Sequence, residues 1–134
     1  MRIGTSGIYV KGGAEASALY MDAFGLTLGY HVKNPDGSFY HSELMCGEAE
    51  LLSVIEAPDA PQPDHTVQLT VILDTEADVR RAFELLSVGG SVDLPVGSLP
   101  WSDCAASVHD RFGVWWYVTV PQHYPSPDFD PARA

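Results

Sequence analysis

The feature that most constrains this chain is a repeated order of elements. Hydrophobic periodicity reads strand, helix, strand, strand, strand, and the same order begins again after a proline-rich break. In the first pass, Ile3 to Val10 forms a strand ending Gly7-Ile8-Tyr9-Val10, and Lys11-Gly12-Gly13 interrupts it. From Ala14 the period turns helical: Ala16, Leu19, Tyr20, Ala23 and Phe24 make one apolar stripe, which Met21 widens and Gly25 stops. Leu26 to Lys33 alternates as a second strand, and Asn34-Pro35-Asp36-Gly37 is a strong turn signal. Phe39 to Cys46 and Glu50 to Glu56 are the third and fourth strands, joined at Gly47-Glu48.

The segment Ala57 to Asp64 contains Pro58, Pro61 and Pro63, cannot join a ladder, and reads as a linker. Val67 to Leu73 then opens the second pass as an apolar strand. Thr75 with Asp78 three residues later resembles a capping box, and Val79, Ala82, Phe83 and Leu86 recur at helical spacing. Gly89-Gly90 ends that helix, Ser91 to Leu94 is a short strand, and Pro95 to Asp103 is a loop holding Trp101. Cys104 to His109 and Val114 to Val120 are the last strands, hinged at Asp110-Arg111-Phe112-Gly113. In that hinge Gly113 supplies a positive φ and Asp110 a side chain able to bond its own backbone. Ile8 matches Val71 at an offset of 63, and the turn glycines Gly47 and Gly113 match at 66. Order repeats here, while residue identity between the copies is low. One α+β domain with coincidental symmetry is the other arrangement that fits the pattern.

Composition removes several functions. The 134 residues suit one domain, and the net charge of -11 repels nucleic-acid phosphates and anionic membrane surfaces. Arg80-Arg81 is the only basic pair, so nucleic-acid binding is discarded. No apolar run approaches the roughly 20 residues of a membrane span. Met1-Arg2-Ile3-Gly4 lacks the apolar core of a signal peptide, which predicts a cytoplasmic location. Cys46 and Cys104 stand outside any metal-binding or nucleophile spacing and read as reduced thiols.

A doubled βαβββ unit closed by Asp110-Arg111-Phe112-Gly113-Val114-Trp115-Trp116 resembles the vicinal oxygen chelate superfamily. This family includes glyoxalase I, extradiol dioxygenases and the bleomycin- and fosfomycin-resistance proteins. Gly13-Ala14-Glu15-Ala16, Leu19-Tyr20, Phe24-Gly25, His41-Ser42-Glu43-Leu44, Phe83-Glu84-Leu85-Leu86 and Trp101 are similar to its PhnB-like branch. The resemblance implies an α+β fold of two tandem βαβββ modules forming a curved, mostly antiparallel sheet around a cavity. It implies a single domain over 1–121, followed by an extended tail over 122–134. Within that domain module 1 covers about 1–57, the proline-rich linker 58–65 and module 2 about 66–121. It also implies a homodimer.

In such proteins a divalent metal held by His, Gln or Glu on the first and last strand of each unit polarises the substrate. Counting from Tyr20, Asp74 and Gly113 puts those positions at Thr5, Leu51, Gln68 and Tyr117, of which only Gln68 is an ordinary donor. A one-residue shift adds Glu50 and no histidine, and strand alternation prevents Glu50 and Leu51 from facing the same way. No metal is therefore expected. If a divalent metal is bound, the resemblance leaves Gln68, Glu50 and His41 to hold it.

Thr5, His41, Gln68, Trp101, Trp116 and Tyr117 are the candidates for lining a ligand cavity. His41 lies mid-strand, either as a polar contact or as a structural histidine. Gln68 interrupts an apolar strand, so its amide needs a polar cavity or a structural hydrogen bond. Trp101, Trp115, Trp116 and Tyr117 supply aromatic area, and alternation divides the last three between a packed face and a cavity face. His109 precedes the turn and reads as exposed or capping, His31 and His65 as solvent-facing, and His123 as part of the tail. Glu43 and Glu50 are either a carboxylate pair across strands or edge charges that oppose aggregation. Three functions fit: a metal-free protein binding a small apolar or aromatic molecule, a divalent-metal lyase, isomerase or dioxygenase, and an interaction module whose cavity is filled.

Overall fold

The computed structural model describes residues 1–60, 62–126, 128, 130 and 132. Pro61 of the proline-rich linker, and Pro127 and Pro131 of the tail, lie outside the described residues. The chain divides into two compact units, residues 1–63 with 112–114 and residues 64–111 with 115–134.

In the first unit β1 (Ser6–Val10), α1 (Gly13–Phe24), β2 (Thr27–Lys33), β3 (Phe39–Cys46) and β4 (Ala49–Glu56) follow in order. The sheet order is β1-β4-β3-β2, with β1 parallel to β4 and the other neighbours antiparallel. In the second unit β5 (Leu69–Ile72), α2 (Glu76–Ser87), β6 (Ser91–Leu99), β7 (Ser102–His109) and β8 (Trp115–Thr119) repeat the arrangement. Its order is β5-β8-β7-β6, again with one parallel pair, β5 with β8. The fold is thus α+β with two tandem βαβββ modules, each a mixed sheet in which antiparallel pairing predominates.

Each helix buries one stripe on its sheet. In α1 that stripe is Ala16, Ser17, Tyr20 and Ala23, and the Ser17 and Ser42 hydroxyls meet beneath it at 2.8 Å. In α2 Val79, Ala82 and Leu86 are buried. The two helices solve their N-terminal amides differently. Thr75 caps α2 through its hydroxyl, which accepts from the Asp78 amide at 3.1 Å, as the sequence predicts. The residue before α1 is Gly12, which has no side chain, so the cap comes from the end of β4. There the Glu56 carboxylate accepts from the Gly12 and Gly13 amides at 2.8 and 3.0 Å. A carboxylate at a helix N-terminus also opposes the positive end of the helix dipole.

The strand boundaries depart furthest from the sequence reading at the first strand of each unit and at β6. Ile3 to Thr5 precede β1, and Val67, Gln68 and Leu73 flank β5, so both parallel strands are shorter than expected. Conversely β6 runs on to Leu99, through Pro95, where a loop was expected. A proline is tolerated there because β6 is the outer strand and its pairing with β7 shifts register between Leu94 and Gly97. Trp101 therefore sits in a tight turn between β6 and β7.

Around the Asp110–Gly113 hinge, Gly113 adopts φ 90°, as a tight turn demands. Asp110 is buried, and its carboxylate accepts from the Trp116 indole N–H at 2.8 Å, tying the turn to the core. Gly90 lies against this corner so closely that a Cβ there would collide with the His109 carbonyl oxygen.

Replacing Glu56 by Ala should lower stability by about 1–2 kcal/mol, the usual cost of a lost cap, measured by urea denaturation. Cys46 is exposed, whereas burial of Cys104, followed by the Glu76 carboxylate, pushes that thiol above its usual range. A thiol reagent should consume one equivalent in native protein, and mass mapping should place it on Cys46.

Candidate functional site

Alternation along β7 and β8 separates two rows of side chains. Ala106 pairs with Val118 and Val108 with Trp116, and Cys104 in the same row lies near Glu76 and Arg80 of α2. That row is the core beneath the helix. The other row pairs Ser107 with Tyr117 and His109 with Trp115, and β5 adds Thr70 beside Tyr117. These residues occupy the face opposite α2.

Ser107 is the hub of that face. Its hydroxyl accepts from the Gln68 amide at 3.1 Å and the Trp115 indole at 3.0 Å, and donates to Asp93 at 3.4 Å. Asp93, on β6, then meets His109 Nδ1 at 3.0 Å and His65 Nε2 at 3.8 Å. His109 Nε2 lies 2.5 Å from the Asp64 carbonyl oxygen. The His109 ring stacks on Trp115 at 5.3 Å and 7°, and the His65 ring stands edge-on to both. Beyond, the Tyr117 hydroxyl accepts from the Trp101 indole at 3.1 Å and donates to Gln122 at 2.9 Å.

Three sequence candidates, Gln68, Trp101 and Tyr117, are therefore on one hydrogen-bonded aromatic face. Trp116 is not among them: at 1% exposure it is core on the α2 side, because it alternates with Trp115 and Tyr117. His109, read from sequence as exposed or capping, is 2% exposed. His65 is exposed as expected, yet contributes to the same cluster. Asp93 escaped sequence reading altogether. A lone carboxylate between Val92 and Leu94 in a strand was the available signal, and its partners come from other elements.

Thr5, His41 and Glu50 belong to the first unit. Ser42 and Leu44 of β3 are buried, so the alternate row, His41 and Glu43, takes the face away from α1. His41 Nε2 lies 3.3 Å from Glu43, and the Thr5 hydroxyl donates to Glu50 at 2.5 Å. The hydrogen bond with Glu43, then that from Thr5, holds the Glu50 carboxyl below its usual range. Thr5, Glu50 and Leu51 line a hollow of about 830 Å³ with Arg2 and Glu48.

The positions that the resemblance assigns to a metal form a poor set of donors. Leu51 offers none, Thr5 and Tyr117 are neutral hydroxyls already bonded to Glu50, Trp101 and Gln122, and Gln68, whose amide nitrogen is bonded to Ser107, offers only a neutral carbonyl oxygen. Of the alternative set, Glu50 and His41 belong to the first unit and Gln68 to the second.

Residues 2–118 match the Glyoxalase/Bleomycin resistance protein/Dioxygenase superfamily. The chain belongs to this superfamily. A Pseudomonas aeruginosa member of the solved structures shares 24% identity over 90% of this chain and 98% of its own, with TM-score 0.73. The PhnB protein from Bacillus cereus is similar at 22% identity over 89% and 99% of the two chains, with TM-score 0.72. The fosfomycin resistance protein FosX from Listeria monocytogenes, solved with manganese(II) and sulfate, covers 90% of each chain at 10% identity and TM-score 0.66. At these identities the likeness is one of fold. Comparison with curated proteins finds no match. Among the described residues, no helix is long and apolar enough to cross a membrane.

Replacing Ser107 by Ala removes the acceptor of the half-buried Trp115 N–H and frees the exposed Gln68 amide to water. It should lower stability by about 1–3 kcal/mol and red-shift tryptophan emission as Trp115 loosens, both readable in one fluorescence-monitored denaturation.

Proposed function

We propose that this superfamily member binds a small planar, apolar or aromatic molecule on the second-unit face, with no metal at the superfamily's usual positions. The observation that carries this is the gathering on the face opposite α2 of Gln68 and Trp115, joined at Ser107, and of Trp101 and Tyr117, bonded to each other. Indole and phenol rings offer large apolar area at fixed geometry, since each polar tip is already hydrogen-bonded. The Gln68 amide nitrogen is committed to Ser107, which leaves its carbonyl oxygen to accept from a ligand N–H or O–H. Nothing at Thr5, Leu51, Gln68 or Tyr117 supplies the imidazole or carboxylate that chelation of vicinal oxygens requires. Sequestration is the activity that fits, and a cytoplasmic homodimer completes the reading, on the family resemblance.

A thermal-shift panel of planar aromatic compounds and antibiotics, run in EDTA, tests it. At ligand a hundredfold above Kd, stabilisation should reach about 2.7 kcal/mol. Tryptophan emission should be quenched, and Trp101→Ala or Trp115→Ala should weaken binding about tenfold or more. Binding that appears only with an added divalent ion would favour a metal lyase, isomerase or dioxygenase. A chain indifferent to every compound would favour an interaction module with a filled cavity.

A further inference from the structure

We propose that His65, Asp93 and His109 form a divalent-metal site on the second unit, away from the positions at which the superfamily resemblance places a metal. His109 is 2% exposed, and its two ring nitrogens face the Asp64 carbonyl and the Asp93 carboxylate. The Asp64 carbonyl oxygen can only accept, so His109 Nε2 carries a hydrogen. His109 Nδ1 then faces Asp93 Oδ2 at 3.0 Å, where either a proton or a metal ion can join the two atoms.

A third donor stands ready, which a metal ion uses and a shared proton does not. His65 Nε2 is 3.8 Å from Asp93 Oδ1, and the three ligand atoms all lie within 4.8 Å of one another. Donors around an ion at about 2.0–2.2 Å are themselves roughly 3.3–3.6 Å apart, so closure needs a shift of about an ångström. His65 can supply it, since its side chain is 70% exposed and it follows Pro63-Asp64 in the linker. Around His109 the surroundings match those of a ligating histidine. The remote N–H is held by a backbone carbonyl, and the ring plane is fixed by stacking on Trp115. Asp93 is oriented in turn by the Ser107 hydroxyl.

Two imidazoles and one carboxylate favour a borderline ion such as zinc, nickel or cobalt over magnesium or calcium. A fourth position remains for water. Such an ion ties residues 64–65 to β6 and β7 and steadies Trp115 through the stacked His109 ring.

The test uses full-length, tag-free protein stripped with EDTA. After incubation with zinc and desalting, one equivalent should remain. Cobalt should give the visible absorption of a site with imidazole ligands. His65→Ala and Asp93→Asn should each weaken zinc binding about tenfold or more. His65 is exposed, so His65→Ala should match the melting temperature of stripped parent protein, which separates ligand loss from misfolding. Zinc retained equally by His65→Ala would place the ion elsewhere, at His41, Glu43 and Glu50 for example, and overturn the assignment. Failure to retain any ion would overturn it as well. So would a nitrogen NMR spectrum in which His109 carries protons on both nitrogens in the presence of zinc, since a proton would then do the bridging.

Discussion

Two-residue alternation in β7 and β8 is the constraint on which the second unit depends. It sends Ala106, Val108, Trp116 and Val118 under α2, and it sends Ser107, His109, Trp115 and Tyr117 to the opposite face. A slip of one residue would exchange the rows, burying a histidine and a serine under an apolar helix stripe and expelling Trp116. The bond from the Trp116 indole to Asp110 holds the register at one end. The Ser102 and Thr119 hydroxyls, 2.7 Å apart and buried, hold it at the other. Apolar burial gives the sheet its stability, while these few polar bonds decide which face is which.

The face so produced is polar and aromatic together. A serine hydroxyl that accepts from two donors and donates to one acceptor uses its full capacity. That satisfaction lets an amide, two indoles, a phenol and a carboxylate crowd one sheet without an orphaned buried atom: among the described residues, no buried side-chain polar atom lacks a hydrogen bond. The first unit shows a different solution. Its face away from α1 gathers His41, Glu43, Glu50 and Thr5, acidic where the second is aromatic, from the same order of elements. One architecture therefore carries two chemistries, and superfamily membership alone does not choose between them.

Much of the fold is legible along the chain. The periods that change from two to 3.6 and back, the glycine stops at Gly25 and Gly89, the Thr75 cap and the Gly113 turn all express local preferences, and the structure contains each of them. The Glu56 cap is invisible locally, since 43 residues separate it from Gly13. The continuation of β6 through Pro95 is likewise invisible, because a proline forbids a central strand and permits an outer one, and strand order is a tertiary property.

The candidate site divides in the same way. Sequence by itself determined the family, the doubled βαβββ order, the aromatic richness of the last strand and the presence of a single ordinary donor, Gln68, among Thr5, Leu51, Gln68 and Tyr117, because each depends on residue type and spacing alone. Tertiary structure decided that Trp116 is core while Trp101 and Tyr117 share a hydrogen bond. It decided also that His65, Asp93 and His109 meet, although 44 residues of sequence span them. Their meeting requires a linker, an outer strand and the end of an inner strand to converge. Convergence of that kind is set by which apolar faces must be buried together, and no single segment encodes it.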